Sequence, residues 1–389
     1  MKIDRSNWRL VKLGDVARNL KDTVNIDEYG LEYYLGGEHF NTDDLHTNGR
    51  GVIEGSTIGP AFTMRFQPEH VLLVSRNPHL RKMAVADFMG ICSNVTYVCE
   101  TKSELLLQEY LPFIMRSSAF WNFAEANKRG STNFYLNWSD FARYEFLLPP
   151  IDEQKRIAEV LWAADDVIVK HKQSLTALVD LKQSLLDDFC EKISDEIVLG
   201  DFLDDIRYGS SVRATGYIEG AVPILRIPNI SNGEINFEKM GYICIGEEDK
   251  HRFSLNKGDL LLIRSNGNPD YVGRMVCVGE NAKGYVFASY LIRLRCKKSL
   301  NSDYLRIHFN HDKLRTKLLR EIKSSAGNYN LNTQGIKQQK IPYTDINEQE
   351  KLVFQVKAIE KNMDEIKKHI QNTGNIITDI LNIELGGIN

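Results

Sequence analysis

Leu148-Pro149-Pro150-Ile151-Asp152-Glu153-Gln154-Lys155-Arg156-Ile157 is the stretch on which the fold turns. An apolar run ends in a double proline, which neither a central strand nor a helix interior tolerates, and acidic and amide residues follow at once, as at a helix N-terminus. A long stretch free of proline comes next. Ile341-Pro342-Tyr343-Thr344-Asp345-Ile346-Asn347-Glu348-Gln349 keeps Glu-Gln 195 residues further on but loses the double proline, and it too opens a proline-free stretch. Asp152 and Asn347 are the expected N-caps.

The two stretches share one heptad phase. Positions 161, 164, 168, 171, 175, 178, 182, 185 and 189 hold Leu, Ala, Ile, His, Leu, Leu, Lys, Leu and Phe; 195 residues later stand Val356, Ile359, Met363, Ile366, Ile370, Thr373, Ile377, Ile380 and Glu384. Neither helix is stable without burying this seam, and each is the other's obvious partner. The plainer alternative is a helix lying on its own globular domain. His171 is expected as a packed seam position rather than a ligand.

Further matches keep the same order along the chain. Leu13-Gly14-Asp15 recurs as Leu199-Gly200-Asp201, and Val71-Leu72-Leu73-Val74-Ser75-Arg76-Asn77 as Leu260-Leu261-Leu262-Ile263-Arg264-Ser265-Asn266; matching the arginines by type sets Arg76 against Arg264, 188 residues on. Asn133-Phe134-Tyr135-Leu136-Asn137 recurs as Asn328-Tyr329-Asn330-Leu331-Asn332. The chain is therefore two copies of one module of about 190 residues. The predicted division is a first α+β domain over 1–150, a helix over 151–197, a second α+β domain over 198–343 and a helix over 344–389. Asn232-Gly233 and Gly267-Asn268-Pro269-Asp270 read as turns.

Antiparallel pairing of equivalent helices implies an internal pseudo-two-fold with the domains at opposite ends. Helices of roughly 38 residues span about 57 Å, close to 17 steps of B-DNA.

The bulk properties permit this without requiring it. With 389 residues, 42% apolar and 26% charged, the chain is long enough for two or three domains. Met1 through Trp8 has no apolar leader core, and no later run approaches a membrane span, which points to a cytoplasmic protein. Six cysteines at 92, 99, 190, 244, 277 and 296 show neither CxxC nor zinc spacing, so reduced, mostly buried thiols are expected. A net charge of −3 excludes a polybasic binder but not a local basic surface.

Trp8 through Val16, Leu73 through Asn94, Gly258 through Arg274 and above all Leu148 through Ile157 resemble the specificity subunit of type I restriction–modification enzymes, and the resemblance covers nearly the whole chain. It implies two target-recognition domains in tandem, each followed by a spacer helix, the two helices pairing as an antiparallel coiled coil. It also implies double-stranded DNA as ligand, with two modification (methyltransferase) subunits and restriction (translocase-nuclease) subunits as partners. S-adenosylmethionine, ATP and Mg2+ are then expected on those subunits and no cofactor in this chain. Dissimilar sequences between the anchor phrases imply an asymmetric, bipartite target.

Candidate DNA contacts follow the apolar strands. Arg76, Asn77, His79, Arg81 and Lys82 combine base-reading and phosphate-binding types; the alternative is a solvated turn whose geometry Asn77 and Pro78 set. Arg264, Ser265, Asn266 and Asn268 form the second such turn, with Arg274 as an added phosphate contact. Lys128, Arg129, Ser131, Thr132, Asn133 and Tyr135 mix cations, hydroxyls and aromatics, and their repeat supplies Lys323, Ser324, Asn328 and Tyr329; the resemblance places this phrase near DNA, and a capped loop leading into the helix is the alternative. Arg226 and Asn229, with Glu38 and His39 in the first copy, are weaker candidates.

Catalysis within the chain is not expected. GxxxxGK[ST] and HExxH are absent, and Asn77-Pro78-His79-Leu80 and Asn268-Pro269-Asp270-Tyr271 lack the second proline of an adenine aminomethyltransferase motif. The competing readings are a specificity subunit of a methylation-only or other multi-subunit system, and a coiled-coil scaffold without a DNA role.

Overall fold

The computed structural model describes residues 5–25, 30–231, 233–311, 315–316, 323–325 and 328–385, with the backbone alone at 231, 323–325, 328, 384 and 385. The chain forms two compact units, residues 1–173 with 366–389 and residues 174–365. Each holds one α+β domain and part of both long helices.

The central strand of each domain shows why these segments read as unbroken apolar runs. Val71–Val74 and Leu260–Ile263 are buried at every position, because both faces of the sheet are covered. Val71 and Leu73 enter the core shared with the long helices, while Leu72 and Val74 face a second core. Leu260 and Leu262 divide from Leu261 and Ile263 in the same way.

Around that strand the same sheet is built twice, all antiparallel. In the first unit the order is Ala17–Leu20, Thr96–Thr101, Val71–Val74, Met83–Val85; in the second it is Leu203–Tyr208, Leu291–Cys296, Leu260–Ile263, Met275–Cys277. A smaller sheet in each contains one parallel pair, Tyr33–Leu35 with Gly90–Ser93 and Val222–Leu225 with Val286–Phe287. First and last strands close each domain, Arg9–Lys12 on Glu145–Leu148 and Glu196–Val198 on Lys340–Pro342.

The repeated Leu-Gly-Asp has a steric cause. A Cβ on Gly14 would come within 2.8 Å of the Ala142 Cβ, and one on Gly200 within 3.1 Å of the Lys337 Cβ, so glycine lets the chain approach the short helical turn that precedes the closing strand. Asn232 lies outside the described residues, but Ile230–Ser231 and Glu234–Ile235 pair around it as a hairpin.

The long helices run Ile151–Lys192 and Ile346–Leu385. Both start two residues earlier than the expected caps require, so Asp152 and Asn347 lie in the first turn instead. Asp345 does the capping in the second helix, accepting from the Asn347 and Glu348 amides at 2.9 and 3.3 Å. In the first, the Pro150 carbonyl accepts the Glu153 and Gln154 amides; proline offers no side-chain cap.

Every seam position from Leu161 to Phe189 and from Val356 to Ile380 is buried or half-buried; the Glu384 side chain lies outside the described residues. In the first unit, Leu161 and Ile168 share a core with Ile370 and Ile377; in the second, Leu185, Leu186 and Phe189 share one with Leu352, Val353 and Val356. The opening half of one helix thus meets the closing part of the other, and they pair in opposite directions. Docking on the domain coexists with this pairing: Ile157, Ala158 and Trp162 pack on the first domain, where the Trp162 indole donates to the Glu109 carbonyl at 2.9 Å. His171 is a half-buried seam position with its ring 5.5 Å from that of His369.

Cys92 and Cys99 are buried, and burial pushes the Cys92 thiol up to about 12. The expectation of mostly buried thiols holds for these two; Cys190, Cys277 and Cys296 are half-buried and Cys244 is exposed, on the surface of the smaller sheet's loop. Among the described residues no helix is long and apolar enough to cross a membrane.

Candidate nucleic-acid interface

Where the central strand of the first unit ends, main-chain hydrogen bonds fix the following turn. The Ser75 amide and hydroxyl both donate to the Val95 carbonyl, at 2.9 and 2.7 Å, and Ser75 accepts from the Leu136 amide at 3.1 Å. Arg76 pairs with Tyr135 as an antiparallel bridge, and the Asn77 amide donates to the Phe134 carbonyl at 2.8 Å. Asn77 at φ 50° and Arg81 at φ 46° occupy the left-handed region on either side of a short 3-10 turn, Pro78–Leu80. Asparagine adopts that conformation more readily than most residues, which accounts for Asn77.

Lys128 through Tyr135 is brought against this turn as a tight hairpin. The Arg129 and Tyr135 backbones exchange hydrogen bonds at 2.8 and 3.0 Å, with Gly130 at φ +90°. Ser131, Thr132 and Asn133 are exposed at its tip. The Arg76 guanidinium lies 5.2 Å from the Tyr135 ring centroid, and the Lys128 ammonium 4.4 Å from that of Phe134. Two segments singled out separately therefore form one cation–aromatic surface.

The cations on it are not alike. Arg129 forks onto the Asp140 carboxylate at 2.8 and 2.7 Å; Asp140 is 2% exposed, and this pairing holds its carboxyl below the usual range. Arg143 and the Asn137 amide complete the cluster. Arg81 sits 3.6 Å from Asp43, Lys82 donates to the Gly37 carbonyl at 2.6 Å, and Lys128 meets Glu125 at 2.8 Å. Arg76 and His79 are exposed, and among the described residues no carboxylate or carbonyl accepts from the Arg76 guanidinium.

The second unit repeats the assembly with a shift that changes its chemistry. The Leu331 amide donates to the Arg264 carbonyl, as Leu136 does to Ser75, so Arg264 is the equivalent of Ser75. Arg76 and Arg264 are therefore not counterparts: Ser265 stands at the Arg76 position and Asn266 at that of Asn77. A one-residue offset turns a side chain to the other face. The Arg264 guanidinium lies over the Tyr208 ring at 4.6 Å and donates to the Ser289 carbonyl at 3.4 Å, folded onto its own domain.

Ser265–Asn266 pairs with Asn328–Asn330, which pairs onward with Lys323–Ser325. Ala326, Gly327 and the side chains of Lys323, Ser324 and Asn328 lie outside the described residues. Tyr329 is half-buried against the core shared with the helices. The Asn268 side chain accepts from the Asp270 amide at 2.9 Å and shapes the turn, while Arg274 covers the Tyr271 ring at 4.8 Å and donates to the Asp270 carbonyl at 2.8 Å.

His39 and Asn229 are true equivalents with a structural task. Each accepts the amide of the residue three places earlier, Gly36 at 2.8 Å and Arg226 at 3.0 Å. Asn229 is buried, and the Arg226 guanidinium donates to the Lys239 carbonyl at 2.7 Å. Glu38 lies in the same short turn.

Sequence reading missed the residues that join domain to helix. Arg116 reaches Asp165 at 3.2 Å in the first unit, and Arg306 reaches Glu360 at 3.1 Å in the second; the carboxylates stand 195 residues apart, at one helical position. His46 adds a 2.5 Å contact to Asp165, and Lys172 pairs with Asp44 at 2.8 Å. The interval was legible, but nothing local distinguishes these carboxylates from the many exposed ones on either helix.

A family model described as the type I restriction modification DNA specificity domain matches residues 5–178 and again 186–373. The EcoKI specificity subunit of Escherichia coli K12 is 23% identical over 288 residues, 69% of this chain and 62% of that subunit, so the match spans less than two thirds of its length. The StySPI specificity subunit of Salmonella potsdam is 21% identical over 363 residues, 86% of this chain and 75% of the relative. The crystal structure of a type I restriction–modification S subunit from M. genitalium shares the fold with a TM-score of 0.63 over 100% of this chain and 99% of that one, at 16% identity. Matched twice by that domain over most of its length, the chain belongs to the type I restriction modification DNA specificity family.

Proposed function

We propose that the chain is the non-catalytic sequence reader of a type I restriction–modification complex, binding an asymmetric, bipartite double-stranded DNA target with one unit per half-site. The observation that carries this is the duplicated surface: in each unit a turn after the central strand is joined by main-chain hydrogen bonds to a second segment, bringing Arg76, Asn77, Lys128 and the 131–133 tip together in one unit and Asn266, Asn268 and Arg274 in the other. Cations and amides with free edges are the groups that bind phosphates and read base edges. Because the two surfaces differ in side chains, the half-sites differ in sequence.

The paired helices are the proposed seat of two modification subunits, through which restriction subunits join. S-adenosylmethionine, ATP and Mg2+ belong to those partners. A coiled-coil scaffold without a DNA role would account for the helices and leave the duplicated turns unexplained.

The test is selection from a random duplex DNA pool by the purified complex of this chain with its modification subunits, followed by sequencing. A split motif with two unlike halves and an unread interval is expected. A contiguous motif, or none, would contradict the reading.

A further inference from the structure

The one-residue offset between the units assigns a specificity contact, resting on the reading just given. We propose that Arg76 reads a guanine in the half-site bound by the first unit, and that the second unit reads its half-site without an equivalent contact.

Three features set Arg76 apart. Its backbone is clamped on both sides, by Ser75 with Val95 and Leu136 and by Asn77 with Phe134. Its guanidinium is exposed and lies against the Tyr135 ring, a contact that limits the freedom of the side chain. The neighbouring Arg81, Lys82, Lys128 and Arg129 each have an acceptor within their own domain; Arg76 has none among the described residues. A planar fork of donors matches two adjacent acceptors, and in the major groove guanine alone presents O6 beside N7, whereas adenine sets a donor next to its acceptor. Lys128, over the neighbouring Phe134 ring, and the exposed Ser131 and Thr132 at the hairpin tip are the types that meet phosphate.

In the second unit, Ser265 occupies this position and is 9% exposed, while Arg264 is turned onto Tyr208 and Ser289. Ser265 offers a buried hydroxyl and Arg264 an inward guanidinium, so neither of these two positions aims a cation outward.

The test replaces the chromosomal gene with Arg76→Lys and Arg76→Ala variants and maps methylated adenines genome-wide. Arg76→Lys keeps the charge and most of the stem, so it separates loss of readout from loss of folding. The expected result is a motif with its spacing and one half intact and a single guanine in the other half degenerate, its preference reduced roughly ten- to a hundredfold. Arg264→Ala leaves the motif unchanged. A motif indifferent to both Arg76 variants, one relaxed in both halves, or methylation abolished by both would overturn the assignment alone. A wild-type host without a split motif would overturn the underlying reading and this assignment with it.

Discussion

Gln154 and Gln349, 195 residues apart, make the same three hydrogen bonds. Gln154 accepts from the Leu107 amide at 3.0 Å and donates to the Leu105 and Pro149 carbonyls at 2.7 and 2.8 Å. Gln349 accepts from the Asn301 amide at 2.9 Å and donates to the Ser299 and Thr344 carbonyls at 3.2 and 2.8 Å. Both side chains are fully buried. The recurrent glutamine at the start of each long helix is thereby explained: the amide fastens the helix to a loop of its own domain, and a carboxylate or hydrocarbon could not satisfy both donors and acceptors.

Replacing either glutamine by alanine removes the partner of three backbone groups, most of them only partly buried, and each replacement costs about 1–3 kcal/mol. Denaturant unfolding of the Gln154→Ala and Gln349→Ala variants measures this. A loss under half a kcal/mol would show that water substitutes for the side chain.

Arg129 is expected to serve stability rather than sequence choice. Removing it leaves the Asp140 carboxylate, 2% exposed, with Arg143 as its remaining cationic partner; because Arg129 is itself half-exposed, the loss is about 1–2 kcal/mol, below that of a fully buried pair. Arg129→Ala therefore lowers the melting temperature while the methylated motif keeps its sequence. A changed motif at unchanged stability would contradict this role.

Two histidines, one in each unit, respond to pH in opposite senses. Burial lowers His308 to about 4; its Nδ1 faces the Tyr304 carbonyl at 2.9 Å and its Nε2 is buried without a partner, so the neutral ring is the stable form. The unfolded chain takes up this proton below about 6.5, so stability is present above that pH and falls by about 1.4 kcal/mol per unit as pH drops toward 4. His308→Gln removes that component, seen as a smaller difference between unfolding at pH 7 and pH 5 than in the wild type. Equal acid sensitivity in both proteins would count against it.

His46 behaves in the reverse sense. Its hydrogen bond to Asp165 raises its pKa, so the contact contributes fully below the ordinary histidine value and is lost as pH rises through the folded value. Proton NMR should place the His46 titration above the ordinary value in the wild type and bring it down in Asp165→Asn. An unmoved titration would mean that Asp165 is not its source.

The fold was legible because its determinants are periodic or steric. The seam shared by Leu161 and Val356 follows from heptad spacing, and Gly14 and Gly200 mark close approaches of the backbone that a side chain would crowd. The candidate surface was less so. Equating Arg76 with Arg264 matched residue types across a strand end, but which face a side chain takes depends on register, and the hydrogen bonds to Leu136 and Leu331 fix that register only in three dimensions. Arg129 and Asn229 illustrate the same limit from the other side: residue types suited to DNA are consumed by Asp140 and by the Arg226 turn, partners that local sequence does not reveal.

The most direct measurement is methylation-sensitive sequencing of the host genome with and without this gene. The account predicts that deletion erases one asymmetric, bipartite methyladenine motif and that the wild-type chain restores it. An unchanged methylome would contradict the assignment of sequence recognition to this chain.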